Sequence, residues 1–81
     1  MDKLKIGDTV KAQRASGIHL TAYARKRPDG TMVYPRGTWH LFRGKRGIVT
    51  SFNPDADEYG VALEGNSHRI AYFRPFELVP A

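Results

Sequence analysis

The residues of this chain that are best suited to binding chemistry form a basic stretch beside a predicted turn. Arg25, Lys26 and Arg27 are consecutive and lead directly into Pro28-Asp29-Gly30. Arginine and lysine side chains bind phosphate and carboxylate groups, and a cation placed against a nucleic-acid phosphate releases condensed counterions. So much positive charge on one flank of a turn therefore predicts a negatively charged partner.

Aromatic residues and further cations accompany this stretch, and aromatic rings stack on nucleobases and sugars. The candidate nucleic-acid or partner-binding residues are Tyr23, Arg25, Lys26, Arg27, Tyr34, Arg36, Trp39, His40, Arg43, Lys45 and Arg46. Three interpretations of the basic stretch stay open: a phosphate-binding surface, a surface for an acidic protein partner, and a solvated loop. Trp39 and Phe42 have an alternative role as the lid of the hydrophobic core.

Metal binding has little support in the sequence, and we expect no metal and no cofactor. The chain has no cysteine, and its histidines, His19, His40 and His68, are separated by 21 and 28 residues. Such separations match no common zinc-ligand spacing. Partly buried or hydrogen-bonded histidines are the simpler interpretation.

Catalysis has equally little support, and we expect a protein that is not an enzyme. Asp55, Asp57 and Glu58 crowd one predicted turn, where carboxylates are usually solvated and nothing orients them as an acid–base pair. Ser67 precedes His68, but adjacent residues on a strand point to opposite faces. The segment 44–47 lacks the Ser or Thr that follows the lysine of a P-loop.

The charge of the chain is concentrated in its first half. The formal net charge is +5, and residues 11–46 hold nine cations and only one acid, Asp29, which gives this segment a net charge of +8. The rest of the chain is therefore net negative. This asymmetry strengthens the prediction of a polyanionic partner.

Length and composition limit the elements that can position these residues. The 81 residues allow a single domain, residues 1–81. Short apolar and alternating runs between Gly, Pro and Asp turns predict a small all-β barrel of five to six short strands. Pro75–Leu78 is expected to form a C-terminal 3-10 turn. No apolar run approaches the roughly 18–20 residues of a membrane span, and no signal peptide is visible, so we expect a cytoplasmic protein that does not bind membranes.

The residues that position the basic stretch form a predicted β-hairpin. Proline followed by Asp and Gly favours a three-residue loop with a bulge, which would pair Arg25 with Val33. A two-residue Asp-Gly loop would pair them differently. In both registers Tyr23, Arg25 and Arg27 share one face of the strand.

The central part of the core is predicted from alternation in two strands. In the segment 58–65, Tyr59, Val61 and Leu63 should face the core, with Gly60, Ala62 and Glu64 facing outward. Ile48, in the strand after the second basic turn, is also expected in the core. Phe52, Phe73 and Phe76 are assigned to the core or to the ends of the barrel.

Several motifs resemble an SH3-like barrel. They are an opening Lys5-Ile6-Gly7-Asp8, the segment Arg43–Val49, an alternating Tyr59–Gly65 and a terminal Phe73–Val79. Gly44-Lys45-Arg46-Gly47-Ile48-Val49 is similar to the glycine-centred core of KOW motifs, whose neighbouring loop contacts RNA or protein. The resemblance covers residues 3–14 and 43–79, which leaves residues 19–42 as an inserted basic hairpin. It implies the fold more strongly than any one function.

Two further resemblances widen the functional alternatives. The same basic turn resembles the SH3-like domain of the nitrile hydratase beta subunit, which implies an accessory module that packs on a larger protein. The type II dihydrofolate reductases are similar in length, but their signature glutamine is absent from Arg69-Ile70-Ala71-Tyr72. The sequence therefore predicts a non-catalytic module that binds nucleic acid, RNA or DNA, through the hairpin and the Arg43–Arg46 turn. The alternative is a module that docks on an acidic protein.

Overall fold

The part of the chain that the structure describes folds into a nearly all-β domain with one sheet. A computed structural model describes residues 4–13, 24–35 and 42–81. The strands are β1 (Thr9–Ala12), β2 (Arg25–Lys26), β3 (Met32–Tyr34), β4 (Arg46–Asn53), β5 (Glu58–Leu63), β6 (Arg69–Phe73) and β7 (Leu78–Pro80). The predicted all-β class is confirmed. The described residues contain seven strands where five to six were predicted, because Leu78–Pro80 pairs with β1 as a strand of its own.

The strands lie in the order β2-β3-β6-β5-β4-β1-β7. All neighbouring pairs are antiparallel except β3 and β6, which pair in parallel through Val33 and Ile70. The basic hairpin is therefore two strands of the main sheet. Because a parallel pair fixes the register of β3 against the sheet, the hairpin is held at a defined position.

The hairpin has the predicted three-residue loop. Arg25 pairs with Val33, and the backbone N–H of Arg27 donates to the carbonyl of Thr31 at 2.8 Å. Gly30 adopts a φ of +92°, the left-handed conformation that this loop requires at its last position. The Asp29 carboxylate accepts a 2.9 Å hydrogen bond from the Thr31 N–H, which closes the turn.

The core lies on one face of the sheet, which we call the inner face. Tyr59, Val61 and Leu63 are buried there as predicted. The other buried core side chains are Val10, Ala12, Phe42, Val49, Ala71, Phe73 and Leu78. Val10 and Ala12 alternate with the exposed Lys11, so the period-two pattern of the first strand also reports burial correctly.

Burial on the opposite face, the outer face, differs from the prediction. Gly60 and Ala62 are buried although their side lies away from the core. Tyr72 covers Gly60, since a Cβ at Gly60 would lie 3.3 Å from Cε1 of the Tyr72 ring. Ala62 is short and sits in register between Ile48 and Ile70, whose larger side chains shield it.

Three apolar residues assigned to the core or barrel ends are partly exposed. Ile48 points to the outer face, because it alternates with the buried Gly47 and Val49, and remains 39% exposed. Phe52 and Phe76 are also exposed. Phe52 packs its ring 4.7 Å from that of Tyr59, which places it at one end of the core.

The predicted 3-10 turn is present at Pro75–Glu77. The N–H of Arg74 donates to the Glu77 carboxylate at 2.6 Å, and the N–H of Glu77 donates back to the Arg74 carbonyl. The Glu77 carbonyl also accepts from the N–H of Gln13 at 2.8 Å. This last bond connects the C-terminal turn to the residue that follows β1.

Candidate nucleic-acid interface

Apolar side chains form one row across the outer face of the sheet. The row, which we call the apolar row, consists of Val33, Ile70, Ala62 and Ile48, each paired in register with the next. Arg25 on β2 continues it at one end, and Thr9 on β1 continues it at the other. Residues that are paired in register are the nearest side-chain neighbours across a sheet face, so the members of the row lie side by side.

The basic stretch of the hairpin is exposed, and alternation divides its side chains between the two faces. We call Arg25, Lys26 and Arg27 the hairpin cluster; all three are exposed. Arg25 and Arg27 belong to the outer face, whereas Lys26 pairs with Met32 and points to the opposite side. The Arg27 guanidinium donates a hydrogen bond to the Tyr72 hydroxyl at 3.3 Å.

The acid in the hairpin loop is already engaged by the turn. Hydrogen bonding from Thr31 holds the pKa of the Asp29 carboxyl below its ordinary value, and the positive charge of Arg27 acts in the same direction more weakly. Within the described ranges, no carboxylate lies within 4.0 Å of a hairpin-cluster cation. These cations therefore remain available to a ligand.

A second group of exposed cations surrounds the turn before β4. We call Lys11, Arg43, Lys45 and Arg46 the turn cluster. Gly44, with a φ of +83°, makes the turn, and Lys11 pairs in register with Arg46. Lys11 and Arg43 also line one open groove of about 370 Å³. Two cations that line one groove suit a bound anion.

One member of the turn cluster is neutralised within the domain. The Lys45 ammonium pairs with the Glu64 carboxylate at 3.1 Å. This pair is exposed on both sides, so it contributes little to stability. Glu64 is the strand neighbour of Arg46, because the Glu64 N–H donates to the Arg46 carbonyl. The pair with Lys45 therefore also offsets the negative charge that lies beside Arg46.

Both clusters contribute cations to the outer face of the sheet: Arg25 and Arg27 from the hairpin cluster, and Arg46 and Lys11 from the turn cluster. Four strand-to-strand steps, at about 4.8 Å each, separate β2 from β4, so roughly 19 Å of sheet lies between Arg25 and the β4 strand. Three cations lie closer to the hairpin-loop edge of the sheet than the apolar row does. Along their strands, Arg27 is two residues from Arg25, Arg46 is two residues from Ile48, and Lys11 is two residues from Thr9. A polyanion that crosses the sheet would meet cations at both ends.

One predicted site residue, Tyr34, is not part of this surface. Tyr34 is half-buried on the inner face, where its ring meets that of Phe42 edge-to-face at 4.8 Å. Arg69 lies 5.7 Å from the centre of the same ring. The core alternative for Phe42 is confirmed, since it is buried. Four predicted residues lie outside the described residues: Tyr23, Arg36, Trp39 and His40.

Two residues of the surface were missed from the sequence. Lys11 was absent from the predicted site, although its alternation with Val10 and Ala12 marked it as exposed. No binding role is predicted for Tyr72, which follows Ile70 by two residues. The register between distant strands brings both residues to the site, and no local pattern reveals that register.

The domain thus belongs to the class of small all-β proteins, with a basic hairpin built into its sheet. The chain belongs to the mycobacteriophage gene 51 protein family, whose profile matches residues 25–80. It is 44% identical over 50 residues to the gene 51 protein of Mycobacterium phage D29, a match that covers 62% of this chain and 77% of the relative. For the gene 51 protein of Mycobacterium phage L5 the identity is 42% over 52 residues, with 62% of this chain and 78% of the relative covered.

No solved structure matches the chain significantly. The matched region begins at the hairpin cluster and runs through β7, so it includes most of the outer face. Among the described residues, no helix is long and apolar enough to pass through a lipid bilayer.

Proposed function

We propose that this domain binds nucleic acid, without catalysing a reaction, through phosphate contacts from the hairpin cluster and the turn cluster. The observation that supports this most is the exposure of Arg25, Lys26 and Arg27 with no carboxylate partner among the described residues. Exposed arginines and lysines can reach phosphates with little desolvation cost. Counterion release would then supply most of the affinity.

The way the hairpin is built also supports this proposal over a merely solvated loop. β3 pairs with β6 inside the sheet, Asp29 closes the loop and Arg27 donates a hydrogen bond to Tyr72. Cations that are held in place lose less conformational entropy when they bind than cations on a free loop. A prearranged basic surface therefore favours a ligand-binding role.

The wider setting of this proposal follows from the same properties. We also propose an SH3-like, KOW-type barrel as the fold family, because the turn before β4 is centred on a glycine, as in KOW motifs. A phage protein that binds nucleic acid would act in the host cytoplasm, where phage and host nucleic acids are present. Docking on an acidic protein would use the same cations and is the second outcome that the experiment below distinguishes.

Fluorescence anisotropy with labelled single- and double-stranded DNA and RNA at about 50 mM salt tests the proposal. The hairpin variant is Arg25→Ser/Lys26→Ser, which leaves the Arg27–Tyr72 bond intact. The matched control is Lys5→Ser/Arg74→Ser, which removes the same charge from two exposed cations outside both clusters.

We expect the hairpin variant to lose most of the affinity and the control to lose much less. Equal losses would mean that only net charge matters, which would contradict a defined site. If no probe binds to the parent protein at this salt concentration, nucleic-acid binding is wrong and the acidic protein partner takes its place.

A further inference from the structure

The apolar row crosses four adjacent strands without a break and is partly open to solvent. Val33 and Ile70 are half-buried, and Ile48 is 39% exposed. Beside Ile48, an open groove of about 340 Å³ has mainly apolar walls and is lined by Thr9, Arg46, Gly47, Ile48, Glu64 and Gly65. Ala62, between Ile70 and Ile48, is buried, so the exposed apolar surface belongs to the side chains on either side of it. Exposed apolar surface that is bordered by charge is typical of a binding site.

Tyr72 lies next to this row and is held from two directions. It is two residues from Ile70 on β6 and therefore shares the outer face. Its ring packs against the backbone of Gly60, and its hydroxyl accepts the hydrogen bond from Arg27. The ring nevertheless remains only half-buried. A positioned, partly exposed aromatic ring is a suitable platform for stacking.

We propose that the outer face binds single-stranded nucleic acid, with bases packed on Tyr72 and the apolar row and with phosphates held at its two ends. Arg25 and Arg27 would contact phosphates at the hairpin end, and Arg46 and Lys11 would contact them at the other. This inference rests on the proposed function, and it adds the class of nucleic acid and the surface that binds it. It is based on charge complementarity at both ends of an apolar path.

A single strand fits this surface better than a duplex does. The base faces of a duplex are stacked on one another and are not available to a flat protein surface, so a duplex would leave the apolar row without a partner. A single strand can instead cross the roughly 19 Å between β2 and β4 with its bases turned toward the sheet and its phosphates toward the cations.

A protein partner fits the apolar row less well. Stable protein interfaces involve about 20–30 residues on each side, with an apolar centre and a polar rim. The apolar row is one side chain wide. Arg25 continues it at one end, and Arg46 and Lys11 lie two residues along their strands from Ile48 and Thr9 at the other. A narrow apolar path with cations near its ends is complementary to a single nucleic-acid strand, whose bases can pack on the path while its phosphates contact the cations.

Three probes separate the contributions of bases and phosphates. They are an oligothymidylate of about 12 nucleotides, an abasic oligonucleotide of the same length, and a duplex of the same length. The variant Tyr72→Ala removes the ring, whereas Tyr72→Phe keeps it. Phe76→Ala is the matched control, because Phe76 is an exposed aromatic residue in the 3-10 turn. Ile48→Ser provides a second test that does not depend on the folding of the Tyr72 variant.

We expect the parent protein to bind oligothymidylate more tightly than either other probe. Tyr72→Ala and Ile48→Ser should weaken the oligothymidylate complex at least about fivefold and change the abasic complex by less than about twofold. Phe76→Ala should retain the parent affinity. Tyr72→Phe keeps the stacking ring but loses the hydrogen bond to Arg27, so it should weaken the oligothymidylate complex less than Tyr72→Ala does. Equal binding of oligothymidylate and abasic probe, or tighter duplex binding, would overturn this inference and leave phosphate binding intact. Absence of binding to all three probes would overturn both proposals.

Discussion

The Arg27 guanidinium and the Tyr72 hydroxyl are joined by a 3.3 Å hydrogen bond between residues 45 positions apart in the sequence. This contact connects the loop end of the hairpin to β6 on the outer face. It brings a cation of the hairpin cluster directly beside the aromatic ring that adjoins the apolar row. The phosphate-binding and base-binding parts of the proposed site meet at this pair.

Tyr72→Phe tests how much this bond stabilises the fold. The bond is exposed to solvent, and exposed polar contacts contribute little because water replaces them. We expect the free energy of unfolding, measured by urea denaturation, to fall by about 0–1 kcal/mol. A loss above about 2 kcal/mol would show that the bond is a main support of the hairpin.

Val61→Ala and Ile48→Ala should separate the two faces of the sheet. Val61 is buried in the core, and its truncation should lower the free energy of unfolding by about 1–3 kcal/mol. Ile48 is 39% exposed on the outer face, so its truncation should cost less than about 1 kcal/mol. Equal losses in urea denaturation would contradict the assignment of Ile48 to the outer face.

Gly47→Ala should destabilise the domain more than Ile48→Ala does. A Cβ at Gly47 would lie 2.7 Å from the Ala62 carbonyl oxygen and would also overlap Cγ1 of Val61. Relief of this overlap would require β4 to move away from β5 and would disturb their pairing. We therefore expect the free energy of unfolding to fall by about 2 kcal/mol or more. The control is Ser67→Ala in an exposed loop, with an expected change within about 0.5 kcal/mol. A fully stable Gly47→Ala protein would mean that β4 can shift away from β5.

Much of the fold could be predicted from local patterns in the sequence. Alternation identified Val61 as a core residue, and the Pro28-Asp29-Gly30 chemistry predicted both the loop length and the pairing of Arg25 with Val33. The position of Ile48 was predicted wrongly, because a β-branched residue in a strong strand suits either face. Ile48 faces the core only if Arg46 does, because the two residues share one face of β4. In the structure Gly47 is the buried residue, packed closely against β5, and so Ile48 faces outward.

The candidate site was only partly predictable, for a related reason. The exposed cations are local features, and their charge was visible in the sequence. The parallel pairing of β3 with β6 and the Arg27–Tyr72 bond join residues that are far apart in the chain. Such contacts depend on tertiary packing, which overrides local preference. Consequently Tyr72 was missed, and Tyr34 was assigned to the site although its ring packs against Phe42.

The pH dependence of the hairpin loop should follow Asp29. Its pKa in the folded protein lies below the ordinary value of 3.8, chiefly because the ionised carboxylate accepts hydrogen bonds from Thr31. A depressed folded pKa means that the stabilisation is fully present above the ordinary pKa and is lost as the pH falls through the folded pKa. The Thr31 amide chemical shift, followed by NMR, should therefore titrate with a midpoint below 3.8.

Asp29→Asn is the control for this titration. It keeps an oxygen that can accept the Thr31 hydrogen bond, and it removes the ionisable group. The Thr31 shift should then stay constant across the same pH range. A parent midpoint at or above the ordinary value would contradict the role of this hydrogen bond in holding the pKa down.

The central claim is that cations at both ends of the apolar row contact the phosphates of one bound strand, and the salt dependence of binding tests it most directly. The affinity for oligothymidylate is measured over a range of salt concentrations for the parent, for Arg25→Ser/Arg46→Ser and for the control Lys5→Ser/Arg74→Ser. Each lost phosphate contact should reduce the slope of log affinity against log salt by about 0.7 for a single strand. We predict a slope shallower by about 1.4 in Arg25→Ser/Arg46→Ser and an almost unchanged slope in the control. An unchanged slope in Arg25→Ser/Arg46→Ser, or no measurable binding by the parent at about 50 mM salt, would contradict the claim.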